Sequence, residues 1–162
     1  MMHIRELKHT DWDAVKVIYQ QGIDTKMATF ETSVPPWEEW RNARVEGSSF
    51  VIEEDGVVLG WAALSPYSSR CVYGGVAEVS VYVHENARGK GLGKKLLEHL
   101  VEQSENLGIW TLQAGIFPEN KGSLHIHYQQ GFRTLGTSEK LGKLDGQWKD
   151  VIHLERRSQK IS

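Results

Sequence analysis

The chain has 162 residues, enough for one domain with its own core, and a formal net charge of −2 with no long basic run, which argues against nucleic acid or an anionic membrane as the default partner. A single cysteine, Cys71, excludes an intrachain disulfide and fits a reducing compartment. The stretch Met1–Glu6 lacks the apolar core of a signal peptide and no apolar run approaches membrane-spanning length, so a cytoplasmic protein is expected.

A short strand over His3–Glu6 comes first. Thr10 with Asp13 three residues on reads as a capping box. The helix behind it carries Trp12, Val15, Ile18 and Tyr19 on one face and is expected to stop near Gly22. Thr25 to Pro35 reads as a loop containing Met27, Phe30 and Glu31. Pro36 suits the first turn of a second helix through Trp37, Trp40 and Val45, ending near Gly47. Phe50–Glu53 and Val57–Leu64 are strands on either side of Asp55-Gly56, a two-residue hairpin signal. Val76–Val83 is another strand, Leu92–Glu105 a helix and Trp110–Phe117 a strand. Lys121–Gln130 is a short helix closed by Gly131. Phe132–Leu135 and Trp148–Leu154 are the last strands, joined around Asp145-Gly146. No repeat, low-complexity stretch or linker interrupts this order, so residues 1–162 read as a single α/β (α+β) domain: a mixed sheet with helices on both faces. Trp12, Trp37, Trp40, Trp61 and Trp110 fit apolar faces and are expected in the core.

Between the strand ending at Val83 and the helix starting at Leu92 lies Arg88-Gly89-Lys90-Gly91-Leu92-Gly93. Backbone N–H groups at a helix start lack intrahelical partners, and with the helix dipole they form a site for phosphate. Glycines let the main chain approach the anion without a Cβ in the way. A P-loop starting at Gly89 needs its next Gly at position 94, which is Lys94, with no Ser or Thr following. A dinucleotide fingerprint needs its third Gly at the same place. The pattern that fits is Arg/Gln-x-x-Gly-x-Gly, with Arg88, Gly91 and Gly93.

That pattern resembles the acyl-CoA pyrophosphate loop of the GNAT N-acetyltransferases, and the element order resembles the GNAT fold over nearly the whole chain. Asn120, Ser123, His127 and Gly131-Phe132 resemble a second GNAT unit, in which His127 stands where a Tyr is usual. The segment 126–132, with its His four residues before a Gly-aromatic pair, is similar to the phosphinothricin and methionine sulfoximine acetyltransferase branch. So are Arg70, Tyr73 and Glu78 in an Arg-x-x-Tyr-x-x-x-x-Glu spacing, the strand Glu78–Val83, and Thr29-Phe30-Glu31 ahead of Pro35-Pro36. The resemblance implies a mostly antiparallel sheet and acetyl-CoA held by Val81, Tyr82, Val83, Arg88, Gly89, Lys90, Gly91, Leu92, Gly93, Asn120 and Ser123. It implies an acceptor held by Phe30, Arg70 and Tyr73, and a homodimer, with Trp148 a candidate for the subunit contact. Capping of the helix start is the alternative reading of Asn120 and Ser123.

Acetyl transfer to an amine needs a proton removed from the ammonium, and Glu78 is the candidate base. Alternation puts Glu78 and Ser80 on one face of their strand and Val79 and Val81 on the other. A carboxylate there is expected to be partly desolvated, which raises its pKa. A main-chain N–H near Val81 is positioned to hold the thioester oxygen. By resemblance His127 protonates the leaving thiolate or assists as a base; Tyr128 is the fallback acid, turned about a quarter-turn away. Arg70 suits an acidic group of the acceptor because it donates two parallel hydrogen bonds. The resemblance implies direct attack of the amine on acetyl-CoA, which needs no acyl-enzyme, so Cys71 is not expected to be a nucleophile. His125 and His127 diverge on a helix, and no catalytic metal is expected. Two alternatives stay open: acetylation of a protein N-terminus or lysine, and a non-catalytic acyl-CoA sensor.

Overall fold

Each Asp-Gly pair makes the hairpin its residues dictate. Asp55 and Gly56 take φ of 53° and 80°, and Asp145 and Gly146 take 50° and 75°. Two successive residues with positive φ match the twist of the strands they join. The computed structural model describes residues 1–162. Its elements are β1 (Met2–Glu6), α1 (Trp12–Asp24), α2 (Trp37–Asn42), β2 (Phe50–Glu54), β3 (Val57–Pro66) and β4 (Val76–Val83). They continue with α3 (Leu92–Asn106), β5 (Thr111–Ile116), α4 (Lys121–Gln129), β6 (Arg133–Leu144) and β7 (Gln147–Arg157). The order matches the sequence reading.

The seven strands form one sheet in the order β1-β2-β3-β4-β5-β7-β6. All neighbours are antiparallel except β4 and β5. On one face α3 buries Leu92, Leu96, Leu97, Leu100 and Val101 against Ile52, Ala62, Leu64, Leu112 and Leu154. On the other, Trp12, Val15, Ile18 and Tyr19 of α1 meet Trp40, Val51, Trp61 and Ala63. Each leucine, isoleucine or valine among them contributes about 1.5–3 kcal/mol on burial.

Five boundaries differ from expectation. Thr10 and Asp13 form no capping box: a 3-10 turn over His9–Asp11 precedes α1, and Asp11 Oδ2 accepts the Lys8 N–H at 2.8 Å. Arg5 holds Asp11 there with two bonds of 2.8 Å and reaches Glu53 at 3.0 Å, tying β1, β2 and α1 together. Helix α1 runs through Gly22 to Asp24. A Cβ at Gly22 would lie 2.5 Å from Cδ2 and Cε2 of Tyr82, so glycine is needed for packing and does not end the helix. Helix α2 stops at Asn42, β6 is far longer than expected, and β7 extends a few residues beyond its expected ends. β6 is a sheet edge exposed along most of its length, so burial imposes no alternating pattern on its sequence. Trp12, Trp40 and Trp61 are buried, whereas Trp37 and Trp110 are half-buried at the margins.

Candidate functional site

β4 and β5 pair over only three residues: Val76, Ala77 and Glu78 with Thr111, Leu112 and Gln113. Beyond Glu78 the strands part and the sheet forks. Main-chain groups alternate sides along a strand. The Gly75 carbonyl accepts from Trp110 and Thr111 on the β5 side, while the Val76 carbonyl accepts from Tyr67 on the β3 side. The Val79 N–H closes the last rung, on Gln113, and beyond it the Val79 carbonyl and the N–H and C=O groups of Val81 and Val83 turn into the fork, where β5 no longer meets them. Tyr82 turns its main chain to β3.

The fork opens into a cavity of about 330 Å³. Glu78, Ser80 and Tyr82 reach it from the α1 face of β4, and Val79 and Val81 from the α3 face. Asn120, Ser123 and His127 of α4 line it on the α3 side, and Phe30 comes from the α1–α2 loop. Seven expected site residues thus meet in one cavity: Phe30, Glu78, Val81, Tyr82, Asn120, Ser123 and His127. Arg70 and Tyr73 do not line it. They are exposed on the loop that enters β4, with the Arg70 guanidinium 5.6 Å from the Tyr73 ring centroid and Tyr73 edge-on to Tyr67. Glu78 is exposed, so the expected partial desolvation is absent.

His127 is buried and its Nδ1 lies 2.6 Å from the Ser123 carbonyl. A carbonyl only accepts, so in the neutral ring Nδ1 carries the proton and Nε2 is the basic nitrogen. Burial pushes the His127 pKa below the ordinary histidine value, opposed by that bond. Phe132 meets the ring edge-on at 5.0 Å. Tyr128 faces away, exposed, with its hydroxyl 2.7 Å from Thr134 Oγ1. Asn120 caps α4, its side chain accepting the Ser123 N–H at 3.3 Å, while still lining the cavity. Burial raises the pKa of the Tyr82 hydroxyl and the nearby Tyr19 adds to it, so Tyr82 stays neutral; its ring stacks on Trp61 at 4.9 Å.

At the Gly-rich loop, Gly89 and Gly91 adopt φ of 82° and 78°, where a Cβ is strained. Gly91 is the N-cap of α3 and offers no capping side chain. The N–H groups of Leu92, Gly93 and Lys94 have no acceptor within the chain. Arg88, Gly89 and Lys90 are exposed beside them, and Val83 packs behind Gly93. Free donors, a dipole end and open space at both positive-φ glycines fit a pyrophosphate.

Sequence reading missed Phe117, Leu141 and Val151, which line the cavity along with Thr29 and Ser80. Ser80 follows from the alternation that located Glu78, but the three missed residues depend on long-range packing. It also missed Arg44, whose guanidinium lies 4.7 Å over Trp40 and donates to the Ser65 hydroxyl opposite Glu78. Burial lowers the Arg44 pKa.

The sequence pattern of the Acetyltransferase (GNAT) family matches residues 12–132. YwnH of Bacillus subtilis (strain 168), provisionally named a phosphinothricin acetyltransferase, is 36% identical over 160 residues, covering 96% of this chain and 98% of its own. The L-methionine sulfoximine/L-methionine sulfone acetyltransferase of Salmonella typhimurium is 30% identical over 159 residues, covering 95% of this chain and 93% of its own. The crystal structure of a GNAT superfamily phosphinothricin acetyltransferase from Sinorhizobium meliloti, in complex with AcCoA, superposes with a TM-score of 0.88 at 29% identity, covering 96% of this chain and 88% of that one. A forked sheet with a bare helix start beside it is an acyl-CoA-dependent acyltransferase architecture, and the chain belongs to the GNAT acetyltransferase family. Its co-substrate is acetyl-CoA.

Proposed function

We propose that the protein acetylates the amine of a small amino-acid-like acceptor, of the phosphinothricin or methionine sulfoximine type, with both substrates bound together. The observation that carries this reading is the fork. It sets Glu78 and His127 on opposite faces of one opening, with the free Val81 N–H between them. Acetyl-CoA supplies the activated acetyl group. The bare start of α3 and the loop Arg88–Gly93 hold its phosphates. The Val79 carbonyl and the main-chain groups of Val81 and Val83 offer unsatisfied partners along the fork, and the Val81 N–H donates to the thioester oxygen. Glu78, within reach of solvent, takes a proton from the acceptor ammonium directly or through one water. Because His127 is neutral with Nε2 basic, it first takes the proton that the attacking nitrogen sheds, and it then gives that proton to the CoA thiolate as the C–S bond breaks. Phe30 walls the acceptor, and Arg70 with Tyr73 meets its acidic group at the loop before β4. The protein works as a cytoplasmic homodimer without nucleic acid; exposed Leu135 and Trp148 on the β6–β7 hairpin support a subunit contact.

Thiol release from acetyl-CoA tests this with phosphinothricin, methionine sulfoximine, ordinary amino acids, a polyamine and a short peptide as acceptors. Turnover confined to the first two supports the reading. Turnover only with peptide supports protein acetylation, and binding of acetyl-CoA without turnover supports a sensor. Glu78→Gln is expected to lower kcat by at least ~100-fold while leaving acetyl-CoA affinity unchanged.

A further inference from the structure

The cavity has a second end, remote in chemistry from Glu78. There Phe30, Phe117, Leu141 and Val151 supply an apolar wall, and no lysine or arginine lines the cavity. Leu141 and Val151 belong to the β6–β7 hairpin, and Leu141 arrives through an irregularity. Ser138 pairs with Val151 and Gly142 with Lys149, so Glu139, Lys140 and Leu141 stand opposite Asp150 alone. Lys140 takes a φ of 46° and its N–H donates to Asp150 Oδ1 at 2.8 Å, which pins the bulge. Bulges re-aim side chains. This one delivers Leu141, on an edge strand and 54% exposed, to the cavity wall.

Gly142 follows, and Phe30 packs directly on it. A Cβ at Gly142 would lie 3.1 Å from Cε1 and Cζ of Phe30. Phe117 holds Phe30 edge-on, with ring centroids 4.9 Å apart. The loop bearing Phe30 is tied to the hairpin tip again by Lys26 and Asp145, 3.2 Å apart. The position of Phe30 therefore depends on the missing side chain at 142. A methyl group there presses the ring toward Phe117 and the cavity.

We infer that the β6 bulge sets acceptor specificity: Leu141 and Gly142, acting with Phe30, form the pocket for the alkyl end of the acceptor's side chain and limit its length. This rests on the acetyl-transfer reading above. Glu78 faces the amine at one end of the cavity, and the carbon-lined end takes the part of the acceptor that favours leaving water.

The test compares kcat/KM for methionine sulfoximine and its S-butyl homologue, buthionine sulfoximine, which share one head group. The wild type favours the S-methyl compound. Leu141→Ala shifts the ratio toward the S-butyl compound by about tenfold, the discrimination expected of an apolar pocket that gains room for methylenes. Gly142→Ala shifts it the other way by at least about threefold, and the KM for acetyl-CoA stays within about twofold in both. Ratios within about twofold of wild type in both variants, or equal losses on both acceptors, overturn the inference. Leu141 is exposed, so its variant decides the matter even if Gly142→Ala fails to fold. A wild type that binds acetyl-CoA but acetylates neither compound refutes the proposed acceptor class and the inference with it, a result distinct from an unchanged ratio.

Discussion

Gly22→Ala sets two known effects against each other at one position. In an exposed helix interior the exchange stabilises by about 0.8–1 kcal/mol, because alanine has the higher helix propensity. Here the new Cβ would sit 2.5 Å from two ring carbons of Tyr82. Carbon atoms prefer about 3.5–4.0 Å, so the ring must retreat by about 1 Å. It has little room, since Tyr82 stacks on Trp61 at 4.9 Å and meets Tyr19 at 5.0 Å. Overpacking of this kind costs about 1–3 kcal/mol, and with a ~1 Å displacement the upper half of that range applies. The net expectation is a loss of about 1–2 kcal/mol, or about 2–4 °C in Tm per kcal/mol for a chain of this size. Thermal and urea unfolding measure it. Combining the exchange with Tyr82→Ala removes the obstacle, and Gly22→Ala should then stabilise. An unchanged or higher Tm for Gly22→Ala in the wild-type background would refute the argument.

Three further outcomes are expected. Gly91→Ala forces a Cβ into left-handed backbone at about 1–2 kcal/mol, so acetyl-CoA should bind about 5–30-fold more weakly in calorimetry, with less effect on acceptor KM. Asp11→Asn breaks the two-bond contact with Arg5 and should cost about 2 kcal/mol in urea unfolding, below the ~3–5 kcal/mol of a fully buried pair because Arg5 keeps some solvent contact. Since Arg5 holds the Asp11 carboxyl below its ordinary pKa, this contribution is present above the normal carboxylate range and disappears as pH falls through the lowered value, so mutant and wild type should converge in acid. Burial depresses the pKa of His127, so the unfolded chain binds a proton that the folded chain refuses; stability should fall as pH drops below about 6.5, and His127→Gln should lose less Tm between neutral and mildly acidic buffer than the wild type.

Local signals were legible. Both Asp-Gly turns, the apolar stripe of α3 and the glycine pattern before it depend on neighbours within one or two turns of chain, and each formed as read. Gly22 shows the limit. A glycine inside a helix and one that ends it look alike in sequence, and the deciding contact comes from Tyr82, far along the chain. The full length of β6 was hidden because an edge strand facing solvent has no buried face to impose alternation. Within the site, alternation located Glu78 and Ser80 and helical spacing separated His127 from Tyr128. The early end of β4–β5 pairing leaves no mark in either strand, since it depends on register, and so the fork and its Leu141 wall could not be read.

The three-residue seam between β4 and β5 also shapes how the molecule holds together. The sheet is two unequal blades, β1–β4 and β5–β7, whose main chains are joined over that short length and then separate. A ligand in the gap takes the place of a missing strand, engaging amides that the polypeptide leaves idle. Occupancy then couples to cohesion: because the folded chain alone presents that gap, each bound molecule adds to the stability of the whole fold by mass action. Amide exchange at Val81 and Val83 would register this directly, as protection contributed by a small molecule to a sheet that is incomplete without it.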